Sequence, residues 1–273
     1  MVSDGAVPDV ALPRAVTPLA AVVLAPNPSP MTLEGTNTWV LRAPGEAGCV
    51  VVDPGPDDPA HLAAVAAAGP VRLILLTHGH SDHSAGARSL HELTGAPVRA
   101  LDPAHRLGPD GLGEGDVVAA AGVEVAALAT PGHTSDSLSF LLTGPGPTSP
   151  AVLTGDTILG RGTTVVAHPD GVLGDYLDSL RRLAALADTL GETTVLPGHG
   201  PELADAGAAA RGYLAHRRER LAQVEAALAA GANTVDEVVE RVYADVDRRL
   251  WPAAELSVRA QLAYLRPDRR PDA

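Results

Sequence analysis

The sequence predicts a layered α/β protein with a small helical unit at its C-terminal end. Short apolar runs typical of strands alternate with helical segments up to about Gly200. Turns that contain Gly and Pro separate these runs. Beyond Gly200 the pattern changes to three helical segments. We therefore expect two domains, a larger α/β domain over residues 1–205 and a helical domain over residues 206–273.

The strand predictions rest on runs of Val, Leu and Ala. Hydrophobic residues make up 45% of the chain but aromatic residues only 3%, so aliphatic side chains must fill the core. We expect strands at Ala20–Leu24, Thr36–Leu41, Cys49–Asp53, Val71–Leu76, Val123–Leu128, Ser137–Leu142 and Ala151–Leu153.

The helix predictions rest on helical spacing and on capping residues. We expect helices at Pro59–Ala68, Ser84–Thr94, Arg211–Ala230, Thr234–Ala244 and Ala253–Leu265. Ser81 or Asp82 would cap the second of these. Thr234 and Glu237 fit a capping box for the fourth, because they stand three positions apart at its start.

Charge and composition exclude several classes of protein. The net charge of −13 argues against a general binder of nucleic acid or of anionic membranes, since phosphate would be repelled. The single cysteine, Cys49, excludes an internal disulfide and suits a reducing compartment. We expect no secretory segment, because the first apolar stretch, residues 18–25, is too short and too late, and no apolar run approaches the ~20 residues of a membrane span. We expect a cytoplasmic protein.

The densest group of chemically active residues follows the predicted strand Val71–Leu76. His78, His80, Asp82 and His83 occupy four of six consecutive positions. Side chains two apart on an extended chain share a face, so His78 and His80 can point the same way. The turn into the next helix then directs Asp82 and His83 to a second point. One loop could thus serve two neighbouring cations.

Two cations need about six or seven protein ligands, because a catalytic zinc site takes three from the protein and keeps one position for water. Three further candidates supply the rest, and each stands in a turn that contains Gly. They are His133, Asp156 and His199. Imidazole and carboxylate groups bind zinc, and they also accept iron and manganese. The expected cofactor is a pair of divalent ions, with zinc preferred.

The other five histidines lack partners at ligand spacing. Four of them are expected on helix surfaces, namely His61, His91, His105 and His216. His168 lies in the predicted turn Ala167-His168-Pro169-Asp170-Gly171 and is a candidate to face the substrate.

The loop and its partners resemble the metallo-β-lactamase superfamily, whose hallmark is a Thr-His-x-His-x-Asp-His segment. The resemblance covers nearly the whole chain and implies a catalytic αβ/βα four-layer sandwich with metals between the two sheets. It implies that the first ion is held by His78, His80 and His133, the second by Asp82, His83 and His199, and that Asp156 bridges them. Asp53 matches the early Asp that supports the ligand loop from behind.

A second resemblance is to the β-lactamase-like protein 2 family. It rests on two long segments, Asn27–Thr38 and Gly155–Thr164. It implies a winged-helix-like domain after the catalytic sandwich, which the three C-terminal helical segments fit. The segment 265–271 leaves no room for a full wing hairpin, so the chain departs from that pattern at its end.

The resemblance also separates kinds of chemistry. Zinc β-lactamases of the best-known type carry Cys where this chain has Asp156, whereas glyoxalase II-like, nuclease and lactonase enzymes carry a bridging Asp. Diiron reductases of the superfamily tend to carry Glu at the place of His80. The resemblance therefore implies a hydrolase that is neither a true β-lactamase nor a redox enzyme. Its expected mechanism is attack by a metal-bridging hydroxide, with Asp82 and Asp156 at the reacting centre.

Three functions remain open. The first is hydrolysis of a small or carrier-bound acyl thioester or ester, which the acidity of the larger domain favours. The second is cleavage of single-stranded RNA, with the Arg residues after position 210 as a footprint. The third is a non-catalytic nucleic-acid-binding regulator. The polar residues expected to line the substrate pocket are Thr36, Asn37, Thr38, Thr163, Thr164 and His168. Oligomeric state and physiological substrate stay open.

Overall fold

The structure is a computed structural model that describes residues 13–146 and 148–266. It contains two mixed sheets. The first consists of β1 (Arg14–Thr17), β2 (Ala20–Leu24), β3 (Asn37–Leu41), β4 (Cys49–Val52), β5 (Val71–Leu75) and β6 (Val98–Arg99), paired in that order. The second consists of β7 (Val117–Ala120), β8 (Val123–Ala129), β9 (Leu138–Thr143), β10 (Ala151–Gly155) and β11 (Thr194–Pro197), in the order β11-β10-β9-β8-β7.

Helices cover the outer face of each sheet and form the C-terminal unit. They are α1 (Pro59–Ala67), α2 (Ser81–Ser84), α3 (Ala87–Thr94), α4 (Leu173–Leu190), α5 (Ala206–Ala229), α6 (Val235–Val242) and α7 (Trp251–Leu265). Within the described part of the chain, no helix is long and apolar enough to span a bilayer.

Alternation along the strands divides the apolar side chains between two sides of each sheet. In β4, Val50 and Val52 pack between the sheets, whereas Cys49 and Val51 pack outward in a cluster with α1 and α3. Beyond the second sheet, α4 and α5 form the other outer layer. The order is therefore helix, sheet, sheet, helix, and the expected αβ/βα four-layer sandwich is confirmed.

Helix α5 belongs to two packing clusters. Near its start, Tyr213 and Leu214 pack with α4 against the second sheet. Towards its end, Val224 and Ala227 pack with α6 and α7. One continuous helix therefore connects the sandwich to the C-terminal unit, and the domain boundary at residue 205 stays a prediction.

Thr234 caps α6 as the predicted capping box requires, but the return bond from Glu237 reaches Asn233, one residue before the cap. Thr234 Oγ1 accepts a hydrogen bond from the backbone N–H of Glu237 at 3.2 Å, and Glu237 Oε2 accepts from the N–H of Asn233 at 2.6 Å. These bonds satisfy donors that the first turn leaves unpaired. The predicted absence of a wing hairpin rests on residues 267–271, which lie outside the described residues.

The predicted helix Ser84–Thr94 is wrong in one respect, because α2 ends at Ser84 and α3 starts only at Ala87. The predicted cap by Ser81 or Asp82 is also wrong. Helix α2 begins after His80 and has no side-chain cap. The Asp82 carboxylate instead lies 3.2 Å from His199 Nε2, so a tertiary contact has replaced the local one.

Hydrogen bonds between the two sheets hold together the edge at which β5 and β11 end. Asn37 donates from its backbone to Gly198 O at 2.8 Å and from Nδ2 to Pro197 O at 3.0 Å. Trp39 Nε1 also donates to Pro197 O, and the backbone of Leu138 donates to Thr77 O at 2.7 Å. These bonds hold the loops of both sheets close together at one end of the sandwich.

The inter-sheet core gives a direct stability test. Leu142 is 1% exposed between the sheets, and Leu142→Ala should lower the free energy of unfolding by about 2–5 kcal/mol because it leaves a cavity. Leu93 on α3 is 60% exposed, so Leu93→Ala is the matched control, with a loss of about 0.5 kcal/mol or less. Urea unfolding at equal metal content measures both, and equal losses would contradict the assignment of this core.

Candidate metal centre

The Asp53 carboxylate organises the loop that follows β5. Asp53 comes directly after β4, and its Oδ1 accepts from the backbone N–H of Thr77 at 2.8 Å. Its Oδ2 accepts from Thr77 Oγ1 at 2.7 Å and from His83 Nδ1 at 2.9 Å. Asp53 is 1% exposed, so these bonds form without competition from water.

A first group of three imidazoles meets beside this loop. His80 Nδ1 lies 3.1 Å from both His78 Nε2 and His133 Nε2. The hydroxyl of Thr77 already donates to Asp53, so it accepts from His78 Nδ1 at 3.0 Å. His133 Nδ1 donates to Val165 O at 2.7 Å. Both outer nitrogens therefore hold the proton, and lone pairs of the inner nitrogens converge.

A second group stands on the other side of the loop. His83 and His199 face each other with their Nε2 atoms 3.1 Å apart. His83 Nδ1 donates to Asp53, and His199 Nδ1 donates to Gly35 O at 3.2 Å. In the neutral rings both Nε2 atoms thus present lone pairs, which repel each other unless a cation lies between them. Asp82 Oδ2 completes the group, 3.2 Å from His199 Nε2.

Asp156 lies between the two groups. Its Oδ2 is 3.7 Å from His133 Nε2, and its Oδ1 is 3.4 Å from the Nε2 atoms of both His83 and His199. Oδ1 is buried and has no hydrogen-bond partner among the described residues. A buried, unpaired carboxylate oxygen is costly unless a cation satisfies it. The donor set therefore fits metal ions.

All seven histidines and aspartates predicted as metal ligands are brought together. Three sets of ligand atoms lie within 4.8 Å of one another and could each hold an ion. The sets are His78, His80 and His133; His78, His83 and Asp156; and Asp82, His83 and His199. Asp53 lies behind the second and third sets, in contact with His83.

Burial and charge act in opposite directions on the titratable groups. Burial, reinforced by His83, holds the pKa of His78 well below its usual value. Burial also disfavours protonation of His83 and His199, but the carboxylates around them together outweigh it. Asp156 with Asp53 raises the pKa of His83 well above its usual value, and Asp156 with Asp82 raises that of His199 to about 9. Despite its own burial, Asp156 has a pKa well below its usual range because those rings stabilise its charge. Without metal, the site thus holds protons where cations would bind.

Two glycines make room for this packing. A Cβ on Gly198 would stand 2.7 Å from both Asp156 Oδ1 and His83 Cε1. Gly155 has a φ of +49°, and a Cβ there would lie 2.6 Å from Thr77 Oγ1. Any larger residue at either place would displace a candidate ligand or the residue that orients it.

The centre is open on one side and adjoins a cavity. His80 is exposed, and the Asp82 side chain is 29% exposed. A cavity of about 350 Å³ reaches His133 and Asp156. We call it the side cavity. Its lining includes Leu33, Leu159, Thr163, Thr164, Arg217 and Ala254.

The residues predicted to line a substrate pocket divide into two sets. Thr163 and Thr164 line the side cavity, and Thr164 Oγ1 also lies 3.2 Å from His133 Nδ1. Thr36, Asn37 and Thr38 are instead buried and engaged in structural hydrogen bonds. Asn37, for example, links the two sheets, so its amide N–H groups are already bonded and do not bind a substrate.

Two histidine predictions are corrected, and three other histidines are half-buried. His61 is not on a helix surface but 5% exposed, with its Nε2 2.9 Å from Thr38 Oγ1. His216 is half-buried and lines the side cavity. His91 and His105 are half-buried, and His168, also half-buried, is not among the described residues of the cavity lining.

Sequence reasoning missed Arg217. It is 4% exposed, donates to Thr164 O, and its guanidinium carbon lies 5.1 Å from the centre of the Tyr176 ring. The spacing of Tyr213, Arg217 and Val224, all on one face of α5, could have indicated a buried arginine.

Comparison with family models agrees with this geometry. The model described as Metallo-beta-lactamase superfamily matches residues 31–199, which include all seven candidate ligands. A second model, the Beta-lactamase associated winged helix domain, matches residues 234–270.

Curated relatives match over most of their length. The chain is 31% identical over 270 residues to the atrochrysone carboxyl ACP thioesterase of Aspergillus fumigatus, covering 90% of this chain and 81% of that protein. It is 30% identical over 281 residues to the beta-lactamase-like protein 2 homolog of Drosophila melanogaster, covering 93% and 91%.

A solved structure shares the fold over most of the chain. A metallo-beta-lactamase family protein from Thermus thermophilus superposes with a TM-score of 0.74 at 25% identity, covering 94% of this chain and 98% of that one. Sandwich, histidine–aspartate centre and C-terminal helices thus agree with the sequence comparisons. The chain belongs to the metallo-β-lactamase superfamily and is one of its metal-dependent hydrolases.

Proposed function

We propose that the protein is a dinuclear metal-dependent hydrolase of small or carrier-bound acyl thioesters or esters. In this proposal one ion is held by His78, His80 and His133, the other by Asp82, His83 and His199, with Asp156 shared. We propose zinc at both sites, because neutral imidazoles and carboxylates suit it and hydrolysis needs no redox change.

The position of Asp156 carries the proposal. Its two oxygens face different groups of histidines, and the oxygen nearer His83 is buried without a hydrogen-bond partner among the described residues. A carboxylate in a single-ion site would need only one such contact. Two adjacent ions are the arrangement that uses both oxygens.

The protein groups divide the remaining work. Divalent ions bound here would supply Lewis acidity towards the acyl oxygen and lower the pKa of water. Asp82 stands at the open side of the centre, where its carboxylate can accept a hydrogen bond from the attacking water and orient it. Asp53 keeps His83 in the tautomer that directs its lone pair inward.

The side cavity supports a small acyl substrate over RNA. Much of its lining is aliphatic, including Leu33, Leu159, Val246 and Leu250. Its one phenolic or indole ring among the described lining residues is Tyr243, and that ring is covered by the Arg220 guanidinium at 4.5 Å. Bases of single-stranded RNA usually stack on aromatic rings or on Arg guanidinium planes, and here Arg217 and Arg220 already stack on Tyr176 and Tyr243. The named activity of the Aspergillus relative, an acyl carrier protein thioesterase, points the same way.

Replacing Asp156 tests the proposed function. Asp156→Ala should abolish thioester hydrolysis and lower the bound metal, because it removes the carboxylate that faces both groups. Elemental analysis and hydrolysis of an N-acetylcysteamine thioester measure the two effects. Asp188→Ala is the matched control, since Asp188 is exposed and pairs with Arg211 on the helical layer.

Two results would contradict this proposal. One is full thioester turnover by metal-stripped protein. The other is cleavage of single-stranded RNA, with binding that weakens steeply as salt is added, in the absence of any thioesterase activity.

Replacing Asp53 tests the role of the supporting carboxylate. Asp53→Asn should reduce metal affinity about 10–100-fold, because the amide group cannot accept from Thr77 and His83 as the carboxylate does. Competition with a chromogenic chelator measures the affinity. Asp110→Asn, at an exposed carboxylate, is the control; equal affinities for the two variants would remove Asp53 from this role.

Metal affinity should rise with pH. In the metal-free protein Asp156 with Asp82 raises the pKa of His199 to about 9, so below that pH a cation must displace a proton from the ring. The apparent association constant should therefore fall by up to about tenfold per pH unit and per displaced proton as the pH decreases. Calorimetry in buffers of different ionisation enthalpy counts the released protons. Affinity independent of pH would contradict the assignment of His199 as a ligand.

A further inference from the structure

The side cavity has two walls of different origin. The wall next to His133 and Asp156 belongs to the sandwich. The opposite wall comes from the C-terminal helices, with His216 and Arg217 from α5 and Ala253 from α7. A group bound at the centre and extending into the side cavity would therefore contact both parts of the chain.

The α5 wall contains two polar nitrogens that lack partners. His216 Nδ1 and Arg217 Nε are both buried and have no hydrogen-bond partner among the described residues. Arg217 is held rigidly, since another of its nitrogens donates to Thr164 O and its guanidinium packs on Tyr176. Arg217 lines the side cavity, and its Nη1, which makes no hydrogen bond among the described residues, is the N–H that suits an oxygen acceptor from a ligand.

The charge of the cavity lining also favours a ligand with acceptor oxygens. Its basic side chains are Arg161, His216, Arg217 and Arg220, and its one acidic side chain among the described lining residues is Asp156, which is assigned to the metals. Arg161 is paired with Glu34 at 2.5 Å. No carboxylate within the described residues lies within salt-bridge distance of His216, Arg217 or Arg220. Arg217 and Arg220 therefore give this wall a positive charge that no carboxylate among the described residues balances, and such a wall suits an anionic group.

We propose that the side cavity binds the acyl group and that His216 and Arg217 select acyl chains that end in a carboxylate. This inference rests on the proposed function and specifies its substrate class. Leu33, Val246 and Leu250 would pack on the methylene groups of the chain. The terminal carboxylate would then accept from the Arg217 guanidinium and from the His216 ring.

Two thioesters of the same shape test the selection. Glutaryl and 5-methylhexanoyl N-acetylcysteamine thioesters differ in ending on a carboxylate or on an isopropyl group. The zinc-loaded enzyme should favour the glutaryl compound in kcat/KM by about tenfold or more, the usual effect of hydrogen bonds to a charged group. Adipoyl and pimeloyl thioesters with their branched counterparts extend the series, so that the best chain length also reports the span of the side cavity.

His216→Leu should reduce this preference several-fold, because leucine keeps the helix and the bulk but removes the ring nitrogens. Ala222→Leu is the matched control, since Ala222 is exposed on the same helix and outside the lining. Ala253→Leu fills the side cavity and should raise KM across the series. Equal kcat/KM for the two kinds of thioester in the wild type, or a preference that His216→Leu leaves unchanged, would overturn the proposal.

Binding separates this inference from the proposed function. Thioether analogues, in which a methylene replaces the thioester carbonyl, cannot be hydrolysed, and calorimetry measures their affinity for the zinc-loaded protein. Preference for the carboxylate-ended thioether that is lost in His216→Leu supports the inference even if no thioester is cleaved. Equal affinity for both thioethers overturns it even if thioesters are cleaved.

Discussion

The geometry of the metal centre depends on the hydrogen bonds to Asp53. This carboxylate holds Thr77 by backbone and hydroxyl, and through that hydroxyl it sets the tautomer of His78. It also sets the tautomer of His83 directly. One buried acceptor therefore orients one imidazole in each group. Asp53 itself has a φ of +52°, a conformation that Asp tolerates better than most residues and that its three bonds keep in place.

Both sheets contribute ligands to the centre, and hydrogen bonds between them fix their alignment. Strand β5 leads into the loop with His78, and β11 leads to His199. The Asn37 bonds to Pro197 and Gly198 hold these strand ends in register across the core. The Nε2 atoms of His83 and His199 can be held 3.1 Å apart because the surrounding framework is buried and hydrogen-bonded. The cation then satisfies an arrangement that folding has already imposed.

Most of the site could be predicted from sequence, because its residues are local and chemically distinctive. The loop from His78 to His83 contains so many potential ligands that few functions other than metal binding account for it. Less could be predicted where tertiary contacts decide. Strand β11 is short and ends in Pro197, and α4 starts without a capping side chain, so neither has a strong local signal. The burial of His61 depends on Thr38, a partner distant in sequence that local spacing does not show. The spacing on α5 can indicate that Arg217 is buried, but not that it bonds to Thr164.

The sharing of α5 between two clusters has a consequence for how such enzymes diversify. The chemistry resides on strand ends that substitutions in the C-terminal unit do not touch, while the surface opposite the metals belongs to α5 and α7. Substitutions in those helices would therefore change the surface that faces the metals and leave the seven candidate ligands themselves in place. Because α5 also packs on the second sheet, a changed cavity surface would still be held in position next to the metal centre. The metal ligands and the surface that faces them can thus vary separately.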